Sequence, residues 1–231
     1  KDRCDLVVID ERIAAHAAAP GRQRATHLVR GEDPAEHDGR LDRAEMLRRN
    51  FFKGPCLNGV TAMVERQVFL DAGLYLLTSL QSQDYEMFSR LAMHHDVLWV
   101  PERLVKYRMR DNNQNLHRQS VNREEFELLQ IYREMLDNAP IELFREAFAP
   151  ELVRPDFLPG VEHEIEKALV YLKHPCHLYA SLGNERLFHV LRKPENLAIA
   201  TEKYGIDLPR LYQINKGVDI GGRLPYQELH G

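Results

Sequence analysis

The sequence has few cysteines, no long apolar run and no excess of basic charge. Its three cysteines, an odd number with no CxxC pair, argue against a disulfide framework and a thiolate zinc site. No apolar stretch approaches the roughly 18 residues of a membrane span. A net charge of -4, from 31 basic and 35 acidic residues, argues against a nucleic-acid-binding domain. These absences favour a globular protein in a reducing, cytoplasmic environment, with no membrane span and no nucleic-acid partner.

Common catalytic and nucleotide-binding motifs are also missing. The chain has no GxGxxG sequence, no P-loop and no GxSxG sequence. The pair His94-His95 lacks the spacing of a HExxH zinc site, so we interpret these residues as surface histidines and predict no metal ligands in this chain. Cys56 is a candidate reactive thiol, although a buried structural cysteine is the more frequent case. Any inference about function therefore has to come from the order of segments along the chain.

Apolar periodicity divides the chain into an α/β part that ends near residue 118 and a nearly all-α part after it. Short runs rich in β-branched residues predict strands at 5–10, 60–64, 97–100 and 104–107. Helical spacing predicts helices at 41–50, at 65–72 with Gly73 ending it, and from Ser82 or Asp84 to about His95. Beyond residue 120 it predicts helices at 124–136, 141–148, 161–172, 178–182, 185–191 and 197–204.

Four short motifs follow one another between Phe51 and His117. In chain order they are Asn58-Gly59-Val60-Thr61, Leu70-Asp71-Ala72-Gly73-Leu74-Tyr75, Gln83-Asp84-Tyr85-Glu86 and Leu104-Val105-Lys106-Tyr107-Arg108. Each motif is weak alone, but their order resembles the C-terminal half of the catalytic domain of family 2 inverting glycosyltransferases.

The resemblance implies a fold class and an activity. The fold would be α/β, with the second half of a GT-A nucleotide-diphospho-sugar transferase sandwich at 1–118 and a helical C-terminal extension at 119–231. The activity would be transfer of a sugar from a nucleotide-sugar donor to a hydroxyl of a glycan acceptor, with inversion. A divalent metal, Mg²⁺ or Mn²⁺, would act in the intact enzyme through ligands that are not in this chain.

The same resemblance implies the roles of particular residues. Asp84 would be the general base that takes the proton from the acceptor hydroxyl, which suits a carboxylate held ionised at a helix N-terminus. The alternative for Asp84 is a helix N-cap, and for Asn58-Gly59 it is an ordinary turn. The implied substrate-binding residues are Asn58, Gly59, Gln83, Tyr107, Arg108 and Arg110, with Arg108 a candidate for the diphosphate or for a surface ion pair.

Two departures from the family keep other hypotheses open. Arg110 stands where many members have a metal-binding histidine, and the family's Asp-x-Asp has no counterpart near Asp10. These departures favour a non-catalytic binding module derived from a glycosyltransferase as the alternative, so whether this chain alone is an enzyme stays open. A third hypothesis makes 119–231 a helical protein-interaction module. An exposed edge of a half sheet also permits a homo-oligomer.

Overall fold

The computed structural model describes residues 6–9, 40–57, 59, 61–100 and 118–216. Within these ranges there are four strands, namely β1 (Leu6–Ile9), β2 (Arg40–Leu41), β3 (Ala62–Val64) and β4 (Val97–Val100). The helices in the same ranges are α1 (Arg43–Lys53), α2 (Arg66–Asp71), α3 (Gln83–Ala92), α4 (Arg118–Asn138), α5 (Ile141–Ala147), α6 (Val161–Leu172), α7 (His177–Val190), α8 (Pro194–Tyr204) and α9 (Leu208–Lys216).

The four strands form one small mixed sheet in the order β2-β4-β1-β3. Strand β1 runs parallel to β4, with Val7 opposite Leu98, and antiparallel to β3, with Val7 opposite Met63. Strand β2 pairs antiparallel with β4. The predicted strand at 104–107 lies outside the described residues.

The expectation of an α/β sandwich is wrong for the described residues, which are mostly helical. The four strands contain two to four residues each, whereas strands of a substantial sheet layer have about five or six. Most of the fully buried large side chains, including Phe51, Leu91, Phe144 and Tyr171, belong to helices. Among the side chains that the structure describes, helices therefore hold the greater part of the core, and the four short strands are a minor element.

The chain divides into two compact units, Lys1–Leu143 and Phe144–Gly231. The predicted boundary at residue 118 separates a glycosyltransferase-like region from a helical extension. This boundary stays a prediction. In the first unit, Met46, Phe88 and Leu91 belong to an apolar core that joins α1 to α3.

Two buried tyrosines fasten α3 and α4 to the last turn of α1. The hydroxyl of Tyr85 donates a hydrogen bond of 2.5 Å to the carbonyl oxygen of Asn50, and that of Tyr132 donates one of 3.2 Å to the same oxygen. The carbonyls of a last helical turn lack partners within their own helix, so these bonds complete its hydrogen bonding. The same contacts fix the helix on which Asp84 lies.

The second unit is built on the close packing of α6 against α7. Ile165 and Ala168 of α6 meet Leu187 and Leu191 in an apolar core that also includes residues of α8. Gly183 lies inside α7, where a Cβ atom would come within 2.5 Å of the Ala168 carbonyl oxygen. The separate helices predicted at 178–182 and 185–191 therefore form one continuous helix, because this glycine serves helix contact instead of ending a helix.

Buried carboxylates of α6 organise the loop before it. Glu166 is fully buried and accepts hydrogen bonds from the backbone N–H groups of Val153, at 3.0 Å, and Arg154, at 2.7 Å. Burial raises the pKa of Glu166 above its ordinary value, although these hydrogen bonds oppose the change. Glu162 forms an ion pair of 2.6 Å with Lys203 of α8. These carboxylates stabilise the second unit, so we assign them a structural role.

Candidate functional site

Asp84 is the second residue of α3, and Ser82 occupies the N-cap position without a side-chain capping bond. The interpretation of Asp84 as the N-cap is therefore wrong. Its neighbours Tyr85, Met87 and Phe88 are buried, whereas Asp84 itself is half-buried at the start of the helix. Asp84 therefore lies beside the buried face of α3 and is partly open to solvent.

Gly59 lies directly against the Asp84 side chain. A Cβ atom at position 59 would come within 2.3 Å of Oδ2 and 2.7 Å of Cγ of Asp84, which no real contact allows. The structure therefore brings together two residues that the sequence assigns to one site. Because Gly59 has no Cβ atom, the Asp84 carboxylate can approach its backbone closely. A role of Gly59 beside a donor sugar stays a prediction.

Tyr75 is the second neighbour of the Asp84 carboxylate. Its ring packs against Phe69 with the two centroids 5.9 Å apart. Burial raises the pKa of Tyr75 above its ordinary value, and the negative charge of the nearby Asp84 raises it further. The tyrosine therefore stays protonated at neutral pH.

The backbone before Tyr75 is a tight turn that ends α2. Gly73 adopts a left-handed φ of 87°, and the N–H groups of Gly73 and Leu74 bond to the carbonyls of Leu70 and Phe69, at 3.2 and 3.1 Å. This pair of bonds is the Schellman arrangement of a helix C-terminus, so the prediction that Gly73 ends the helix is confirmed. Leu74 follows with a φ of 61°, which is costly for a residue that has a Cβ atom.

Arg90 of α3 holds that turn in place. Its guanidinium donates to the carbonyl oxygens of Ala72 and of Leu74, the latter at 2.8 Å. The same group pairs with Glu86 one helical turn earlier, at 2.6 Å. One arginine thus joins helix α3 to the two carbonyls that flank Gly73, and it places Tyr75 beside Asp84.

Glu127 of α4 binds the chain just before α3. Its carboxylate accepts hydrogen bonds from three successive backbone N–H groups, of Leu80 at 3.0 Å, Gln81 at 2.8 Å and Ser82 at 2.8 Å. Burial raises the pKa of Glu127, but the three donors and the charge of Arg123 outweigh this effect and lower it below its ordinary value. A buried anion therefore fixes the start of the helix that carries Asp84.

We expect a Glu127→Gln variant to lose about 2 kcal/mol of unfolding free energy at pH 7, because a charged acceptor of several bonds is replaced by a neutral amide. The lowered pKa means that this contribution is complete above 4.5, the ordinary value, and disappears as the pH falls through the lower folded-state value. Denaturant unfolding followed by circular dichroism at several pH values measures both effects.

The matched control for this experiment is Glu125→Gln, which neutralises an exposed glutamate two residues earlier on the same helix. Its unfolding free energy should stay within about 0.5 kcal/mol of the wild type. If wild type and Glu127→Gln differ by the same amount at pH 7 and at a pH well below 4.5, the ionised carboxylate is not the source of the stability.

The remaining predicted residues are divided between described and undescribed parts of the chain. Gln83 is half-buried beside Asp84, and its Oε1 atom is enclosed without a hydrogen-bond partner among the described residues. Its role in substrate binding stays a prediction. Four predicted site residues lie outside the described residues, namely Asn58, Tyr107, Arg108 and Arg110.

Sequence reasoning missed the supporting residues Tyr75, Arg90 and Glu127. The spacing of Glu86 and Arg90 is a recognisable helical ion pair, but nothing in it indicates bonds to the turn at Gly73. Glu127 lies 45 residues beyond the last N–H group that it binds, so no local pattern could reveal it.

Neither a metal nor a reactive thiol is supported by the described part of the chain. No group of three or more histidine, cysteine, aspartate or glutamate residues in it is arranged to hold a metal ion. Burial raises the pKa of Cys56 to about 11, and its thiol donates a hydrogen bond of 3.3 Å to the Gly54 carbonyl. The Cys56 thiol therefore stays protonated at neutral pH, which fits a structural role.

Among the residues that the structure describes, none of the helices is both long and apolar enough to cross a membrane.

The chain matches no family model, no curated protein and no solved structure. A function can therefore be inferred only from the chemistry of Asp84 and of the residues around it. A partly open carboxylate can take a proton from a bound hydroxyl group.

Proposed function

We propose that this chain is part of a family 2 inverting glycosyltransferase and that Asp84 is its general base. The supporting observation is the placement of Asp84, half-buried at the start of α3, with Gly59 directly against its carboxylate. The motif order in the sequence supports the same proposal. The substrates would be a nucleotide-sugar donor and a glycan acceptor, and the cytoplasm, where the free cysteines Cys56 and Cys176 stay reduced, is the proposed location.

The proposed reaction is a single displacement at the anomeric carbon of the donor sugar. The acceptor hydroxyl oxygen attacks that carbon while Asp84 takes the hydroxyl proton, and the nucleoside diphosphate leaves from the opposite face. The new bond therefore has inverted configuration. A carboxylate in this role must be ionised and within hydrogen-bond reach of the hydroxyl, and both conditions suit a partly open position at a helix N-terminus.

The divalent ion that such enzymes use would neutralise charge on the leaving diphosphate. The described residues offer no set of three ligands for it, so no step is assigned to a metal in this chain. The proposal assigns activation of the acceptor hydroxyl to the described residues. It assigns binding of the donor diphosphate to groups outside the described ranges.

The test is a transfer assay on the protein as its own cell produces it. Purified protein is incubated with Mg²⁺ or Mn²⁺ and a panel of uridine, guanosine and thymidine diphosphate sugars, with and without glycans extracted from the same cells. We expect one donor to release nucleoside diphosphate at a rate that rises when the glycans are added. A folded protein that releases none from any donor contradicts the proposal and favours the non-catalytic binding module.

A further inference from the structure

The segment at 74–80, which joins α2 to α3, concentrates exposed apolar side chains. Five of its seven residues are exposed leucines or tyrosine, namely Leu74, Tyr75, Leu76, Leu77 and Leu80. Leu77 is 95% exposed and Leu80 is 65% exposed. Single exposed leucines are ordinary, but an exposed cluster of this kind marks a surface that meets an apolar partner. This segment is called the leucine loop below.

The fold holds the leucine loop at both ends. At its start, Arg90 donates to the carbonyl oxygens of Ala72 and Leu74, the latter at 2.8 Å. At its end, Glu127 accepts hydrogen bonds from the N–H of Leu80, at 3.0 Å, and from those of the two residues after it. Both anchors bind main-chain atoms, so they fix the backbone and leave the leucine side chains outside the core.

The charge and the backbone bonding of the loop indicate which partner it meets. No residue from Ala72 to Gln83 is charged, in a chain in which 29% of the residues are charged. Main-chain groups at both ends of the loop have partners within the protein, and inside it the N–H of Ser79 bonds to the Leu76 carbonyl at 3.2 Å. A segment that enters lipid has to avoid charge and to bond its backbone internally, because the acyl chains offer no partners.

A protein partner is the second candidate, and the composition of the loop disfavours it. Tryptophan, tyrosine and arginine contribute most to protein interfaces, whereas leucine is under-represented among such residues. Leucine is one of the residues that interfacial segments place at the boundary between headgroups and acyl chains, and tyrosine is enriched at the headgroup level. Four leucines and one tyrosine without charge therefore favour a lipid surface.

We propose that the leucine loop is a membrane-surface anchor, which inserts Leu77 and Leu80 into one leaflet of a lipid bilayer. The protein lies on the membrane through this loop and is released reversibly, because few side chains enter the lipid. The loop has no charge, so its binding does not require anionic lipid. The anchor does not depend on the proposed function and acts whatever the role of Asp84.

Vesicle flotation tests the anchor. The full chain is mixed with large unilamellar vesicles of phosphatidylcholine, a lipid without net charge, in low and in high salt. We expect the same fraction of protein to float with the vesicles in both. Leu77→Gln should weaken the partitioning about tenfold, because one leucine side chain no longer leaves water. Leu208→Gln, at a leucine of α9 that is 62% exposed, is the control and should bind as the wild type does.

Three results of this experiment overturn the proposal. The first is a wild-type protein that does not float with the vesicles. The second is equal partitioning of the wild type and Leu77→Gln. The third is binding that high salt abolishes, since an uncharged loop is not the source of such binding. A wild-type dimer in sedimentation that Leu77→Gln converts to a monomer also overturns it, because a second copy then covers the loop.

Insertion of the loop is measured separately by tryptophan fluorescence. We expect phosphatidylcholine brominated in its acyl chains to quench a Leu77→Trp variant more than the wild type, whose single tryptophan gives the background. Tyr212→Trp, a matched change at an exposed residue of α9, should add no quenching. Both positions are exposed, so circular dichroism should show wild-type folding in each variant. Quenching of Leu77→Trp that equals that of the wild type overturns the proposal.

Discussion

Replacing Asp84 with asparagine should lower the rate of sugar transfer by a factor of about 10² to 10⁴, the usual contribution of a general base. Asparagine has nearly the same shape as aspartate and fits the same space beside Gly59. The amide has no basicity to remove a proton, so the chemical step is lost while the local packing stays. Transfer is followed by release of nucleoside diphosphate under saturating donor.

The control for this prediction is Asp71→Asn, which changes an exposed carboxylate at the end of α2. Asp71 accepts a hydrogen bond of 2.7 Å from the Gln67 side chain. Its transfer rate should equal that of the wild type, and both variants should unfold at the wild-type denaturant concentration. A folded Asp84→Asn variant with full activity would remove Asp84 from the mechanism.

The second large effect is expected at Gly183, where alanine should destabilise the protein by about 2 to 3 kcal/mol. At an exposed position inside a helix, the same change would stabilise it by about 1 kcal/mol. Here the new methyl group would come within 2.5 Å of the Ala168 carbonyl oxygen and 2.9 Å of the Leu172 backbone nitrogen. Backbone atoms cannot move aside as a flexible side chain can, so α6 and α7 would have to separate.

This prediction is checked by denaturant unfolding followed by circular dichroism. The pair Glu202→Gly and Glu202→Ala, at an exposed position of α8 in the same unit, measures the helix preference of alanine over glycine alone. We expect alanine to be favoured at position 202 and disfavoured at position 183. Equal signs at the two positions would show that the contact between α6 and α7 does not restrict the side chain.

Local sequence signals predicted the elements that depend on neighbouring residues. The strand at 97–100 and the helix at 161–172 have the predicted ends, because in both cases the apolar pattern stops where the element stops. The fold class was not predictable in this way, since the strands turned out too short to form a substantial layer. Helix α9 was not predicted as a separate element, although its residues Leu211 and Ile214 pack against the core of the second unit.

Part of the candidate site was predictable from the order of the motifs. Asp84 and Gly59 were both identified, and the structure places them in contact. Tyr75 was noted as part of a motif, but its place near Asp84 depends on the turn that Arg90 holds. Such tertiary contacts are made by folding, so sequence spacing does not reveal them.

The Glu127 contact has a consequence for which substitutions the protein can tolerate. The carboxylate recognises main-chain N–H groups of Leu80, Gln81 and Ser82, not their side chains. Exchange among ordinary amino acids at these three positions therefore preserves the contact, and proline alone removes a donor. The acidic side chain at position 127 has no such freedom. We therefore expect many amino acids to be tolerated at positions 80–82, whereas position 127 has to keep its carboxylate.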